Sequence, residues 1–122
     1  MATLVIVDDE PGIVEEVRAF FEEEGYRVYA ADSGEDGIRV IEQVKPDIIL
    51  LDMKLPDISG IRVLESAKKT SPKSKTIVIT GYVDQNLIDE AEKLGRDAFL
   101  QKPFNFEVLK EEVDRLLKPF KA

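Results

Sequence analysis

Apolar residues in this chain fall into two kinds of pattern. Short unbroken runs occupy residues 4–7 (LVIV), 28–31 (VYAA), 48–51 (IILL), 77–79 (IVI) and 98–100 (AFL). Between them, apolar positions recur every three or four residues, the signature of amphipathic helices. The first such stretch sets Ile13, Val14, Val17, Phe20 and Phe21 against Glu15, Glu16, Glu22 and Glu23. Later stretches carry Ile38, Ile41 and Val44, then Ile61, Leu64 and Ala67. Leu87, Ile88, Ala91 and Leu94 follow, and finally Val108, Leu109, Val113, Leu116 and Leu117. Pro11 stands where a helix should begin, and Gly25 and Gly95 where helices should end. Five strand-then-helix units predict a parallel sheet with helices on both faces. The strands are continuous rather than alternating, as expected when both faces are covered. No linker or repeat divides the chain, so residues 1–122 are expected to form one α/β domain.

Composition narrows what such a domain can do. At 122 residues it can build a real core, and 43% hydrophobic with 34% charged residues suits a soluble globule. The apolar runs are too short to span a bilayer, so no membrane partner is expected. Cysteine and histidine are both absent, which excludes disulfides, thiolate metal sites and imidazole catalysis. The net charge of −8 repels nucleic acid. The densest basic cluster, Lys68, Lys69, Lys73 and Lys75, lacks interleaved aromatics and reads as a solvated helix end and loop.

The residues that close the apolar runs carry the chemistry. Asp8 and Asp9 follow the first run, Asp52 the third, Thr80 the fourth, and Lys102 lies just past the fifth. In an open parallel sheet, ligands bind at the carboxyl ends of the strands. These groups should therefore share one edge. Two carboxylates about 4 Å apart repel by roughly 4 kcal/mol at an effective dielectric near 20. Such a cluster needs a cation or a proton. With only oxygen donors, a hard ion such as Mg²⁺ fits best, and its incomplete shell suits a phosphoryl group. Lys102 and Thr80 could then contact phosphoryl oxygens, with the central carboxylate as acceptor. Each residue also has a plainer use. Asp8 and Asp9 could cap the helix begun by Pro11, Thr80 could be ordinary strand, and Lys102 a snorkelling surface lysine.

At this point the motifs match a known family. The segments LVIVDDEPGI, PDIILLDMKLPDISG, IVITGY and DAFLQKPF, in this order and each at a predicted strand, resemble the receiver domain of two-component response regulators. The resemblance implies a flavodoxin-like (βα)5 fold, a three-layer sandwich with strand order 2-1-3-4-5. It implies phosphorylation of Asp52, Mg²⁺ held by Asp8, Asp9, Asp52 and the backbone carbonyl of Met53, and phosphoryl contacts from Thr80 and Lys102. Thr80 and Phe99 fall at the switch positions, although Phe99 could equally be plain core. The Lys102–Pro103 bond is expected to be cis.

The expected donor is the phosphohistidine of a histidine kinase or a histidine phosphotransfer protein. It would dock over Pro11, Gly12, Ile13, Pro103 and Phe104, and a downstream protein target would read the switched surface. The resemblance further implies a cytoplasmic, monomeric phosphoacceptor that assists its own phosphorylation and dephosphorylation without being an enzyme in the usual sense. Lys54 and Tyr82, each two residues beyond a key position, together with KPFNFEVL, look most like single-domain regulators of sporulation phosphorelays. Receivers of enhancer-binding transcription factors share similar pieces. The chain ends soon after Lys118-Pro119-Phe120, which fits either a free-standing regulator or a domain of a longer one. Two other classes are disfavoured by residues. A dehalogenase-type phosphatase would want an acid where Lys54 stands, and a flavodoxin-type electron carrier a phosphate-binding loop where DDEPGI is acidic.

Overall fold

Residues 2–81 and 84–118 are described by the structure, a computed structural model. Tyr82, Pro119 and Phe120, singled out above, lie outside them. Five strands, β1 (Thr3–Val7), β2 (Arg27–Ala31), β3 (Ile48–Asp52), β4 (Lys75–Thr80) and β5 (Ala98–Gln101), alternate with five helices. These are α1 (Pro11–Glu23), α2 (Gly34–Val44), α3 (Gly60–Thr70), α4 (Gln85–Lys93) and α5 (Phe106–Leu117). The strands form one parallel sheet in the order β2-β1-β3-β4-β5, as the resemblance implied.

The unbroken apolar runs divide by parity. Leu4, Ile6, Ile48, Leu50, Ile77 and Ile79 turn to one face and pack with Val17 and Phe21 of α1 and Leu109 and Val113 of α5. Val5, Val7, Ile49, Leu51 and Val78 turn to the other and meet Ile41 of α2, Leu64 and Ala67 of α3 and Ala91 of α4. Because side chains alternate along a strand, a strand buried on both faces must be apolar at every position. Each fully buried Leu, Ile or Phe contributes roughly 1.5–3 kcal/mol, so these two layers dominate the fold's stability.

Helix ends obey the expected signals. Gly25 and Gly95 take positive φ just past α1 and α4, where a β-carbon would be strained. Ser33, Ser59, Asp84 and Asn105 cap α2, α3, α4 and α5 through their side chains. By contrast, α1 starts after Glu10 with Pro11 at its first position and no side-chain cap. The capping role considered for Asp8 and Asp9 is therefore not used. Among the described residues, no helix is long and apolar enough to cross a membrane.

Candidate phosphoryl and metal site

Register brings the acids together. β1 and β3 are neighbours, with Val7 opposite Leu51, so the next residues, Asp8 and Asp52, emerge side by side at the carboxyl end of the sheet. Both are buried, Asp8 fully and Asp52 at 4% exposure. On the far side of β3, Thr80 closes β4 and is buried at 1%. Beyond it, the Lys102 amide donates to the Thr80 carbonyl at 2.9 Å, which starts the β5–α5 turn over the pocket. The Lys102–Pro103 bond is cis, as expected from the resemblance.

Lys102 Nζ is the hub. It lies 3.1 Å from Asp52 Oδ2, 2.8 Å from Asp8 Oδ2 and 2.5 Å from Glu10 Oε1. Carboxylate oxygens of Asp8, Glu10 and Asp52 all fall within 4.8 Å of one another. Burial by itself would lower the Lys102 pKa, but pairing with Asp8, Glu10 and Asp52 outweighs it and holds the ammonium well above its ordinary value. Burial raises the Asp8 carboxyl above its ordinary value, against the opposing pull of Lys102 and the Glu10 amide. Asp8 Oδ1 accepts that amide at 2.9 Å, while Oδ2 pairs with the Lys102 ammonium at 2.8 Å. Three carboxylates that share one ammonium and offer only oxygen donors fit a small hard cation.

The pocket wall is shaped by the loop after β3. Asp52 Oδ1 accepts the Lys54 amide at 3.1 Å, while Oδ2 faces Lys102. A β-carbon at Gly60 would stand 2.4 Å from the Asp52 carbonyl oxygen and 2.7 Å from Met53 Cα, so only glycine lets α3 start this close to the strand end. A cleft of about 330 Å³ is lined by Asp9, Glu10, Asp52, Lys54, Leu55, Pro56, Thr80, Gly81 and Lys102. A larger hollow of about 560 Å³, between α1 and α2, shares Asp9 and borders Asp8 but contains none of Asp52, Thr80 or Lys102.

Against the sequence reading, Asp8, Asp52, Thr80 and Lys102 are brought together. Asp9 is exposed and borders the cleft, outside the trio of converging carboxylates. Glu10, which the sequence reading passed over, belongs to that trio. Only its place one residue past the acidic pair, in a turn that folds back on Lys102, could have signalled it.

Met53 was expected to offer its backbone carbonyl. Its carbonyl accepts the Gly60 amide at 2.9 Å, its side chain is core, and Lys54 rather than Met53 lines the cleft. Phe99 is half-buried against the α2–α4 layer, and the Arg96 guanidinium carbon lies 5.8 Å from its ring centroid. Of the expected docking residues, Pro11, Gly12 and Pro103 are exposed. Ile13 and Phe104 pack partly into the α1–α5 layer, with the Phe104 ring edge-on to Phe106 at 5.3 Å.

A doubly wound parallel sheet thus gathers buried acids, a threonine and a lysine at its carboxyl edge, where open sheets of this kind bind their ligands. The sequence matches the response regulator receiver domain over residues 4–114. The chain belongs to that family, whose members are phosphoacceptors in two-component and phosphorelay signalling. It is 32% identical to the sporulation initiation phosphotransferase F of Bacillus subtilis, over 98% of this chain and 95% of that one. It is also 31% identical to a cyclic di-GMP phosphodiesterase of Thermotoga maritima, but spans only 31% of that longer protein. Among solved structures, the response regulator TrrA of Thermotoga maritima, determined in complex with Mg²⁺-BeF, superposes with a TM-score of 0.85. That likeness has 34% identity and covers 96% of this chain and 100% of that one. A CheY-like receiver from Methanospirillum hungatei gives 0.88 at 34% identity, covering 95% and 96% of the two chains.

Proposed function

We propose that Asp52 is the phosphoacceptor, and that it takes its phosphoryl group from the phosphohistidine of a histidine kinase or histidine phosphotransfer protein. An Asp52 oxygen attacks phosphorus, the bond from phosphorus to the donor imidazole breaks, and the imidazole leaves with the electron pair and takes up a proton. The observation that carries this reading is the setting of Asp52. It is nearly buried, with one oxygen fixed by the Lys54 amide and the other facing the Lys102 ammonium.

Asp8, Asp9 and Asp52 would hold Mg²⁺, and a main-chain ligand from this turn falls to Lys54 rather than Met53. When bound, the ion offsets the carboxylate charge and polarises the phosphoryl oxygens. Lys102 keeps its proton, so it can leave the acids and pair with a phosphoryl oxygen. Thr80 is at the right strand end to donate a hydrogen bond. A threonine drawn inward would open space beside β4, and Phe99 is the adjacent ring able to respond. One hydrogen bond to a charged group, about 1.5–3 kcal/mol, is enough for a tenfold shift between two states.

The exposed Pro11, Gly12 and Pro103, with the partly buried Ile13 and Phe104, form the rim on which the donor would dock. We assign the chain a receiver domain over residues 1–122, monomeric and cytoplasmic, that signals by protein contact with a downstream target. It assists its own phosphorylation and dephosphorylation rather than turning over a substrate. Incubation with Mg²⁺ and acetyl phosphate should add one phosphoryl group by intact mass, and Asp52→Ala should abolish the addition. Addition that persists in Asp52→Ala would place the acceptor elsewhere.

A further inference from the structure

The segment after Asp52 is held at both ends. At its far end the Gly60 amide bonds the Met53 carbonyl and Ser59 caps α3. Its middle is held by something outside the site. Asp57 Oδ1 accepts the Gly34 amide at 2.7 Å and Oδ2 accepts the Glu35 amide at 2.9 Å. These are the first two N–H groups of α2, which a helix cannot satisfy internally. Ser33 satisfies the next two, with Oγ taking the Asp36 amide at 3.2 Å and its carbonyl the Gly37 amide at 2.9 Å. The start of α2 is thus shared between its own cap and a carboxylate from another loop. The amides of Glu35 and Gly34 hold the Asp57 carboxyl below its ordinary value.

Ile58 completes the clasp. A β-carbon at Gly34 would sit 2.3 Å from Ile58 Cγ1, so the loop lies directly on the helix backbone. Between this clasp and Asp52 run Lys54, Leu55 and Pro56, which form one wall of the phosphoryl cleft.

We infer that Asp57 is a positioning residue for the phosphoryl site: by clamping the β3–α3 loop to the amino end of α2, it holds the Lys54–Leu55–Pro56 wall in place and limits water's access to the phosphorylated aspartate. This rests on the assignment of Asp52 as acceptor. Asp57 itself does not line the cleft, and acts through the segment it tethers.

The test is the lifetime of the phosphoryl group. Protein is charged with acetyl phosphate and Mg²⁺, donor is removed, and the loss of phosphate is followed by intact mass. Asp57→Ala should shorten the half-life at least about threefold, the scale expected when a pair of hydrogen bonds is lost. Asp57→Asn, with one acceptor oxygen in place of two, should fall between. Ser33→Ala is the control, since it weakens the start of α2 to a similar degree but leaves the loop tethered. Its half-life should match wild type even where its melting temperature drops. Decay of Asp57→Ala at the wild-type rate would overturn the inference, as would equal acceleration in Ser33→Ala. A wild-type chain that takes up no phosphate removes the underlying assignment. One that is charged normally, with Asp57→Ala just as long-lived, removes the positioning role alone.

Discussion

At the amino-terminal edge of the sheet, Asp47 stands just before β3 and accepts the Thr3 amide at 2.8 Å and its hydroxyl at 3.2 Å. Asp97 stands just before β5 and accepts the Thr76 amide at 2.8 Å. At the carboxyl-terminal edge, Asp8 and Asp52 follow β1 and β3, and they face a lysine and each other. The residue type is the same, and each acid stands at one end of a strand. What differs is the supply of donors. Below, the adjacent strand offers an unpaired N–H to each acid, which makes the aspartate a clip. Above, each acid takes one amide from the loop that follows it, Glu10 for Asp8 and Lys54 for Asp52, and turns its second oxygen to a shared lysine. An acid at a strand end is therefore not by itself a functional signal. Its neighbours decide.

Removing the cation from the upper edge should have the largest effect. Lys102→Ala leaves buried carboxylates uncompensated, which costs about 3–5 kcal/mol when one partner of a buried pair is lost. Phosphate uptake should fall as well. Added Mg²⁺ should restore much of the lost stability by binding the native state, raising the melting temperature of the variant more than that of wild type. A variant that melts like wild type in chelator would show that Lys102 does not balance the acids.

The lower edge should behave oppositely. Asp97→Ala leaves the buried Thr76 amide without its acceptor and should destabilise by about 1–3 kcal/mol in denaturant unfolding. Uptake of phosphate by the folded protein should be unchanged. Impaired uptake at full folding would mean that the two edges are coupled.

The smallest effect concerns Asp8 and has a defined sign. Its pKa is raised in the folded protein, chiefly by burial, so the native state holds this proton more tightly than the unfolded chain. Above the ordinary aspartate range its ionisation therefore works against folding, and that penalty fades as pH falls through the raised pKa. In chelator, Asp8→Asn should melt slightly above wild type near neutral pH, with the gap closing on acidification. A gap that is absent, or constant with pH, would show that Lys102 fully offsets the burial of Asp8.

Much of this architecture was legible in the sequence. Strands buried on both faces write themselves as unbroken apolar runs, and each predicted run lies within its strand to within two residues at either end. Asp52, Thr80 and Lys102 were legible because strand ends in a parallel sheet converge by topology alone. The finer assignments depended on turns, which have no such rule. The bond between the Gly60 amide and the Met53 carbonyl is set by how α3 begins. Glu10 joins the trio because the turn before α1 folds toward Lys102. The hold of Asp57 on α2 spans segments whose packing no local pattern encodes.

The adjacency of β1 and β3 reaches beyond the site. Leu4 pairs with Ile48 across the whole first βαβα stretch, and β2 lies outside β1 rather than between them. Contacts so distant in sequence close late and slowly, because the intervening chain must first be ordered. Until that ladder zips, Asp8 and Asp52 are two separate aspartates in water, and no cation or lysine is gathered between them. Competence to take a phosphoryl group is thus also a certificate of folding: a nascent or damaged chain whose central ladder is open has no acceptor pocket to load, and sends no signal.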